Sequence, residues 1–325
     1  MLDDLDLRLV DALQIVPRTP WSVLAPILHT DASTLSRRWS RLTATGLAWT
    51  TCYATPARAG LALAEIRCAP GRRDEIAAAL AALPPVVTVE YTSGPRELAV
   101  NVSAPGPAAI DRYVARHIAP LPGVRAISTR FVRSLYQEGV GFDLRTLTPA
   151  QRARLLDLRR AGPDPQVPQP VIERTVRALQ SDVRRPAVDV AREIGVSVPL
   201  ARRAIAQLAR TTWVRVRADF AHDVAGWHAT VQLWLTVAPE RLDEVAAALA
   251  GHPAVRLCAS TVSAENLVVV LWMRCLADLD RIESALRVRF PQARVTDRWL
   301  VPRAVKRMGN VLDAAGRRSG YVAVS

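Results

Sequence analysis

The stretch DASTLSRRWSRL, residues 31–42, brings three arginines and four hydroxyl side chains into one short run. Guanidinium groups bond guanine bases and phosphates, and hydroxyl groups bond either. Leu35, Trp39 and Leu42 recur at the spacing of one helix face, so the polar groups fall on the opposite face. The pattern predicts a nucleic-acid-binding helix, and its alternative is a solvated helix face in a protein-interaction module.

The residues before and after this stretch predict the elements that position it. Leu5, Leu9 and Leu13 recur every four residues, which is typical of an amphipathic helix. Residues 21–28 predict a second short helix, followed by a turn at HTDA, and residues 47–54 have the composition of a strand. Three short helices and a strand predict a winged helix-turn-helix that binds double-stranded DNA. The predicted contacts are Ser33, Thr34, Ser36, Arg37, Arg38 and Arg41.

The chain also repeats itself. A shift of 166 residues places RLVDALQIVPRTP (8–20) on RTVRALQSDVRRP (174–186), and a shift of 169 places residues 72–86 on 241–255. Two long registers indicate a tandem duplication. The second copy has fewer hydroxyls and more arginine in its helix-turn-helix, so we expect it to bind phosphate more than bases. Its predicted DNA contacts are Arg202, Arg203, Arg210, Arg215 and Arg217.

The second part of each copy alternates strand and helix patterns in the order βαββαβ, over residues 61–135 and again over 228–301. This order predicts a ferredoxin-like sandwich with both helices on one sheet face. The bare face must be covered, most simply by the sheet of the other copy. The predicted fold class is therefore α+β, a tandem duplication of a winged helix-turn-helix plus a ferredoxin-like βαββαβ domain.

These patterns divide the chain into six segments. Residues 148–160 predict an extra helix before the proline-rich joint AGPDPQVPQP, and the basic C-terminal segment carries glycines and is expected to be flexible. The predicted segments are 1–56 (helix-turn-helix), 60–138 (ferredoxin-like), 139–170 (linker with extra helix), 171–222 (second helix-turn-helix), 226–302 (second ferredoxin-like) and 303–325 (basic tail).

Composition bounds the function classes. The 325 residues are 50% hydrophobic with a net charge of +13, which favours an anionic partner. We expect a cytoplasmic protein, since no apolar run could cross a membrane and no signal-peptide pattern is present. Four scattered cysteines without CxxC pairing indicate reduced thiols. The histidines have no ligand spacing, so we expect no metal, no cofactor and no catalytic site; they are His29, His117, His222, His228 and His252.

The motifs LDDLDLRLVDALQ, RRWSRLTATGL, YTSGPRELAVNV and LPGVRAISTRFV together resemble the leucine-responsive/asparagine-operon regulators, the Lrp/AsnC family, as two units in tandem. The resemblance implies a transcriptional regulator whose RAM-type sandwiches dimerise through facing sheets and bind a small effector, often an amino acid. Carried over by residue, the effector site is Thr92, Ser93, Gly94, Pro95, Glu97, Ser128 and Thr129. The family has aspartate where Glu97 stands. Tandem fusion implies an intramolecular pseudo-dimer that forms further homo-oligomers.

Two other functions remain open. Siroheme decarboxylases are similar in pairing a helix-turn-helix with this sandwich, and they would need a pocket with histidine and aromatic residues near the second and third strands. That region reads EYTSGPRELAVN and CASTVSAENLVV, with a single aromatic residue and no histidine, so we expect no enzyme. An effector-binding module that no longer binds DNA is the third possibility.

Overall fold

The computed structural model describes residues 2–55, 60–160 and 166–324, which form two compact units. The helix unit comprises the described residues within Met1–Arg58, Asp143–Ala221 and Arg317–Val324. The sheet unit comprises those within Ala59–Phe142 and His222–Gly316. Each unit thus collects the corresponding parts of both copies. Residues 161–165 of the predicted joint lie outside the described residues, and the six predicted boundaries stay a prediction.

The elements follow the predicted order in each copy. The first half contains α1 (Asp4–Ile15), α2 (Trp21–Leu28), α3 (Ala32–Ala44), β1 (Ala48–Ala54), β2 (Gly60–Cys68), α4 (Arg73–Ala81), β3 (Val86–Tyr91), β4 (Leu98–Ala104), α5 (Pro107–Tyr113) with a π-helical turn at Val114–Ile118, β5 (Val124–Gln137) and α6 (Pro149–Arg160). The second half contains α7 (Gln169–Leu179), α8 (Ala187–Ile194), α9 (Val198–Leu208), β6 (Val214–Phe220), β7 (Ala229–Thr236), α10 (Leu242–Ala250), β8 (Val255–Thr261), β9 (Leu267–Met273), α11 (Asp278–Arg289), β10 (Arg294–Leu300), β11 (Arg303–Arg307), β12 (Asn310–Leu312) and β13 (Arg318–Tyr321). None of the described helices is long and apolar enough to span a membrane.

The two helix-turn-helix parts use the same turn. His29 ends α2 at φ 54° and Gly195 ends α8 at φ 66°, both in the left-handed region that stops a helix. Asp31 then caps α3 and Ser197 caps α9 through their side-chain oxygens. These residues are 166 apart in each pair, so the duplication extends to backbone geometry.

The strand predicted as a wing pairs with its counterpart in the other copy. β1 and β6 form an antiparallel two-stranded sheet from Ala48↔Phe220 to Ala54↔Val214. Two arginines at equivalent positions hold the copies together reciprocally. Arg18 donates to the Val183 and Arg185 carbonyls, and Arg184 donates to the Pro17 and Thr19 carbonyls. The helix unit is therefore a closed pair of helix-turn-helix parts.

In the sheet unit, both βαββαβ copies join into one sheet with the strand order β10-β7-β9-β8-β5-β2-β4-β3-β11-β12. A strand near the end of each half pairs with the second strand of the other half's βαββαβ part. β5 runs past β2 to pair with β8, and β11 pairs with β3. This exchange fixes the two halves edge to edge.

The sheet unit has one core under the helices of each copy and a third core between the halves. The third core combines Leu63 and Ala99 of the first half with Trp234, Val268 and Trp299 of the second. The bare sheet faces are thus covered within one chain.

The C-terminal segment differs from its prediction as a flexible tail. Residues 303–312 form β11 and β12, in which Ala304, Val305 and Leu312 are buried. Lys306 is fully buried and its Nζ donates to the Leu83 carbonyl at 2.9 Å. Alternating apolar residues in VPRAVKRMGNVL supply the strand pattern, which the glycines and basic residues obscured.

Candidate functional site

The predicted DNA contacts of the first copy lie on α3, but its arginines differ in their surroundings. Arg37 is exposed. Arg38 forms ion pairs with Asp3 at 2.6 Å and with the buried Asp6 at 2.9 Å, and Arg41 also pairs with Asp6. Ser33 donates to the capping Asp31, Thr34 donates to it through its backbone N–H, and Ser36 is partly buried. Two of the three arginines are thus partly neutralised within the helix unit.

The predicted contacts of the second copy separate in the same way. Arg202 and Arg203 are exposed on α9. Arg210 donates to the Arg160 carbonyl and Arg215 to the Thr212 carbonyl. Arg217 is buried and pairs with buried Asp219 at 3.0 Å, so the prediction that its side chain faces DNA is wrong. The β1–β6 pairing places it inside the helix unit.

The predicted effector residues form hydrogen bonds and strand pairings with other parts of the chain. The Ser93 N–H donates to the Leu300 carbonyl, and the Leu300 N–H donates back to the Ser93 hydroxyl at 3.0 Å. Glu97 accepts the Cys68 N–H at 2.7 Å, and the Thr92 hydroxyl donates to the Arg96 carbonyl. Gly94 adopts φ 90° in the turn. Ser128 and Thr129 pair with Glu65 and Ala64 on the neighbouring strand. Of these residues, Ser93 contacts the second half, and the effector site stays a prediction.

Behind this loop lies a partly buried ion network between the halves. Glu65 pairs with Arg96 at 2.5 Å and with Arg130, and Arg96 also pairs with Asp297 at 3.0 Å. Each arginine covers a tryptophan of the second half, Arg96 over Trp299 at 3.9 Å and Arg130 over Trp234 at 4.6 Å. These ion pairs balance the arginine charges within the chain, which argues for a structural role.

A second polar cluster, which we call the His222 cluster, lies in the second half. His222 stacks on Trp272 with ring centroids 4.0 Å apart and 9° between the planes. Arg256 and Arg307 lie over the same indole at 4.3 and 4.9 Å. All four side chains are more than nine-tenths buried. Two guanidinium groups held against an aromatic ring in the interior form an anion-binding arrangement.

The partners of His222 define its tautomer. Arg307 Nη1 lies 3.4 Å from Nδ1, and since a guanidinium only donates, Nδ1 accepts. Nε2 then carries the hydrogen and donates to the Thr230 hydroxyl at 3.1 Å. Burial, with Arg307 and Arg256 nearby, lowers the pKa of His222 well below its ordinary value of 6.5. The ring is therefore neutral at physiological pH.

A carboxyl group of the first half lies beside this cluster. Glu90 on β3 accepts a hydrogen bond from Gln232 Nε2 at 2.8 Å. Burial raises the pKa of Glu90, and the charge of Arg307 opposes that rise. Burial also raises the pKa of Asp223, whose Oδ1 lies 3.5 Å from His222 Nε2. The cluster thus combines cations with carboxyl groups that burial biases toward their protonated forms.

A row of aromatic rings connects the cluster to the surface. Phe142 lies edge-on to Trp272 at 5.2 Å and to Trp227 at 6.1 Å. Arg256 lies over the Phe142 ring at 5.5 Å and donates to the Gly139 carbonyl at 2.6 Å. The exposed Arg274 covers Trp227 at 3.9 Å. Arginines and rings therefore alternate from the interior to solvent.

This site was not predicted from sequence, because histidine and aromatic residues were considered only in two segments near the second and third strands. His222 precedes β7, Trp272 ends β9 and Phe142 follows β5. Comparison of the two copies contains a usable signal, because the register of 169 aligns Arg256 with Val87 and Trp272 with Ser103. A cation and a large ring replace small side chains at strand positions that the fold keeps equivalent.

Comparison with known proteins first gives the class of protein. Residues 2–43 match the AsnC-type helix-turn-helix domain, and residues 61–140 match the Lrp/AsnC ligand binding domain. The first half thus contains an AsnC-type helix-turn-helix and an Lrp/AsnC ligand binding domain, within a tandem α+β fold. Both matches fall in the first half, so membership of the second half in that family stays a prediction.

The particular family follows from matches over most of the chain. The siroheme decarboxylase NirDL subunit of Paracoccus denitrificans (strain Pd 1222) is 32% identical over 270 residues, covering 79% of each chain. The chain belongs to this NirDL family. The crystal structure of the siroheme decarboxylase NirDL has a TM-score of 0.59 over 94% of this chain and 93% of that one, at 16% identity. Its co-complex with an iron-uroporphyrin III analogue has a TM-score of 0.58 over 92% and 93%, also at 16% identity, and both show the same fold.

These matches correct the function predicted from sequence. The main interpretation, a sequence-specific transcriptional regulator without enzymatic activity, is contradicted by a relative that is an enzyme and by a fold shared across nearly the whole chain. The alternative that the sequence analysis set aside agrees better with the matches. It was rejected for lack of histidine and aromatic residues, which the His222 cluster supplies from other segments.

Proposed function

We propose that this protein is a siroheme decarboxylase-type enzyme acting on an iron tetrapyrrole that carries carboxylate arms. The His222 cluster is the observation that carries the proposal, since it brings Arg256, Arg307 and a neutral histidine together in the sheet unit. The family relationship gives the reaction class.

The cluster fits the chemistry of such a substrate. A tetrapyrrole is a flat macrocycle with carboxylates around its rim, and planar guanidinium groups bind carboxylates with paired hydrogen bonds. Trp272 fixes the guanidinium groups of Arg256 and Arg307, so they need little rearrangement to accept a carboxylate. The neighbouring Phe142 and Trp227 rings would favour contact with the apolar faces of a macrocycle.

Decarboxylation breaks the bond between an arm carbon and its carboxylate, releases carbon dioxide and leaves the electron pair on the arm carbon. A proton must then be added to that carbon, and no net oxidation occurs. Glu90 is the group in the cluster best suited to hold a proton, because burial raises its pKa. The neutral His222 holds a second proton on Nε2, directed at Thr230.

The direct test is anaerobic incubation of the purified protein with siroheme, followed by mass spectrometry of the extracted tetrapyrrole. We expect stepwise loss of carbon dioxide from the arms. A matched variant, Arg307→Gln, should lose most of this activity, whereas Arg287→Gln on the exposed face of α11 should retain it. Unchanged siroheme with folded wild-type protein would overturn the proposal.

A further inference from the structure

We infer that Arg274 is a substrate-docking residue that binds a peripheral carboxylate of the macrocycle at the surface end of the aromatic row. This inference rests on the proposed function and extends it to a residue outside the His222 cluster. It assigns Arg274 a role in selecting substrates with many carboxylate arms.

Arg274 is exposed, yet its guanidinium is held in place. Its Cζ lies 3.9 Å from the centroid of the Trp227 ring, and Nη1 donates to the Ala225 carbonyl at 3.2 Å. Gly226 makes room for it, since a Cβ there would lie 2.4 Å from Nη1, and its φ of 96° is one that other residues rarely adopt. Such fixing reduces the entropy lost when the side chain binds a ligand.

The charge of Arg274 has no carboxylate partner among the residues that the structure describes. Its contacts there are the indole of Trp227 and one backbone carbonyl. Most of its N–H donors are therefore available to an incoming anion. By contrast, Arg96 and Arg130 in the ion network are ion-paired with carboxylates of the chain.

The position of Arg274 suits a rim carboxylate. It follows Trp272 by two residues on the chain, and Trp227 and Phe142 connect it to the cluster. A macrocycle that places one arm beside Arg256 and Arg307 has other arms pointing away from them, toward solvent. Arg274 is the cation at that end of the row.

The test compares two iron porphyrins by absorbance titration of the full-length protein. Iron uroporphyrin carries a carboxylate arm at every outer ring position, whereas haem carries few. We expect Arg274→Gln to weaken iron uroporphyrin binding roughly tenfold, as for loss of one charge-assisted hydrogen bond. Haem binding should change by less than about twofold, because its fewer arms need not reach Arg274.

Two further variants separate docking from general effects. Arg287→Gln removes an equal charge from an exposed site of the same unit and should leave both affinities unchanged. Gly226→Ala keeps the guanidinium but displaces it, so it should weaken iron uroporphyrin binding in the same direction as Arg274→Gln. Thermal melts check that each variant is folded.

The possible results distinguish this inference from the proposed function. If the wild type binds iron uroporphyrin and Arg274→Gln binds it equally well, the docking role is overturned and the proposed function stands. Equal weakening for both porphyrins also overturns it, because the effect is then not one of carboxylate recognition. If the wild type binds neither porphyrin, the proposed function and this inference fail together.

Discussion

The two ferredoxin-like halves of the sheet unit have the same backbone but different side chains where they face each other. Ser128 pairs with Glu65 in the first half, and Asp297 pairs with Trp234 at the equivalent position of the second. Arg130 likewise corresponds to Trp299. Glu65 and Arg130 of the first half thus correspond to Trp234 and Trp299 of the second, and Arg130 lies over the Trp234 ring. Divergence after duplication made one complementary interface out of two identical faces.

The same divergence placed the arginine and the tryptophan of the candidate site in the second half. Arg256 and Trp272 of the second half correspond to Val87 and Ser103 of the first, so the first half lacks the cation and the ring. Glu90 nevertheless reaches across from the first half to Gln232. The candidate site therefore combines side chains from both copies.

The largest effect we expect comes from making the second half resemble the first at that site. Arg256→Val introduces the residue found at the equivalent Val87. It removes a guanidinium fixed by Trp272 and the Gly139 carbonyl, so kcat/KM for siroheme should fall about 10²–10³-fold. Steady-state decarboxylation kinetics measure this loss.

A matched control tests the same charge elsewhere. Arg298→Gln removes a guanidinium that pairs with Glu283 at 2.5 Å on the outside of β10, and it should retain activity within about twofold. Full activity in a folded Arg256→Val protein would show that the asymmetry between the halves has no catalytic meaning.

A smaller effect, on the free energy of unfolding, should distinguish the two glutamates of the ion network. Glu65 lies between Arg96 and Arg130 with its side chain 13% exposed, whereas Glu265 contacts Arg130 at 3.4 Å and is 30% exposed. Glu65→Ala leaves two buried guanidinium groups short of a partner and should lower the free energy of unfolding by about 3 kcal/mol. Glu265→Ala should cost less than about 1 kcal/mol. Urea denaturation compares them, and equal costs would show that the network does not hold the halves together.

Much of the fold was predictable because it depends on local patterns and on the repeat. The periods of Leu5, Leu9 and Leu13, and the alternation of apolar residues in both βαββαβ parts, give the helices and strands. The β1–β6 pairing and the strands at residues 303–312 were missed, since their partners are remote in sequence.

The site was harder to predict than the fold for a related reason. Glu90 bonds to Gln232 and Arg256 bonds to Gly139, each pair joining residues more than a hundred positions apart. Which side chains meet between joined sheets depends on strand register and twist, which the local pattern does not specify. His222 also gave no signal in the sequence, because its buried environment, and not its spacing from other residues, sets its properties.

The smallest effect we expect is on the pH dependence of stability, to which the buried His222 of the second half contributes. Burial, Arg307, Arg256 and His228 lower its folded pKa well below 6.5, so below that pH the unfolded chain binds a proton that the folded chain does not. Stability should therefore fall as pH decreases, by up to about 1.4 kcal/mol per pH unit. Glu90 and Asp223 have raised pKa values and change stability in the opposite sense, so the effect of His222 must be measured by comparing variants.

Urea unfolding of wild type and His222→Gln between pH 7 and 5 should show a smaller loss of stability in the variant. His228→Gln, which changes an exposed neighbouring histidine, is the control. Parallel pH profiles for wild type and His222→Gln would mean that His222 titrates normally in the fold.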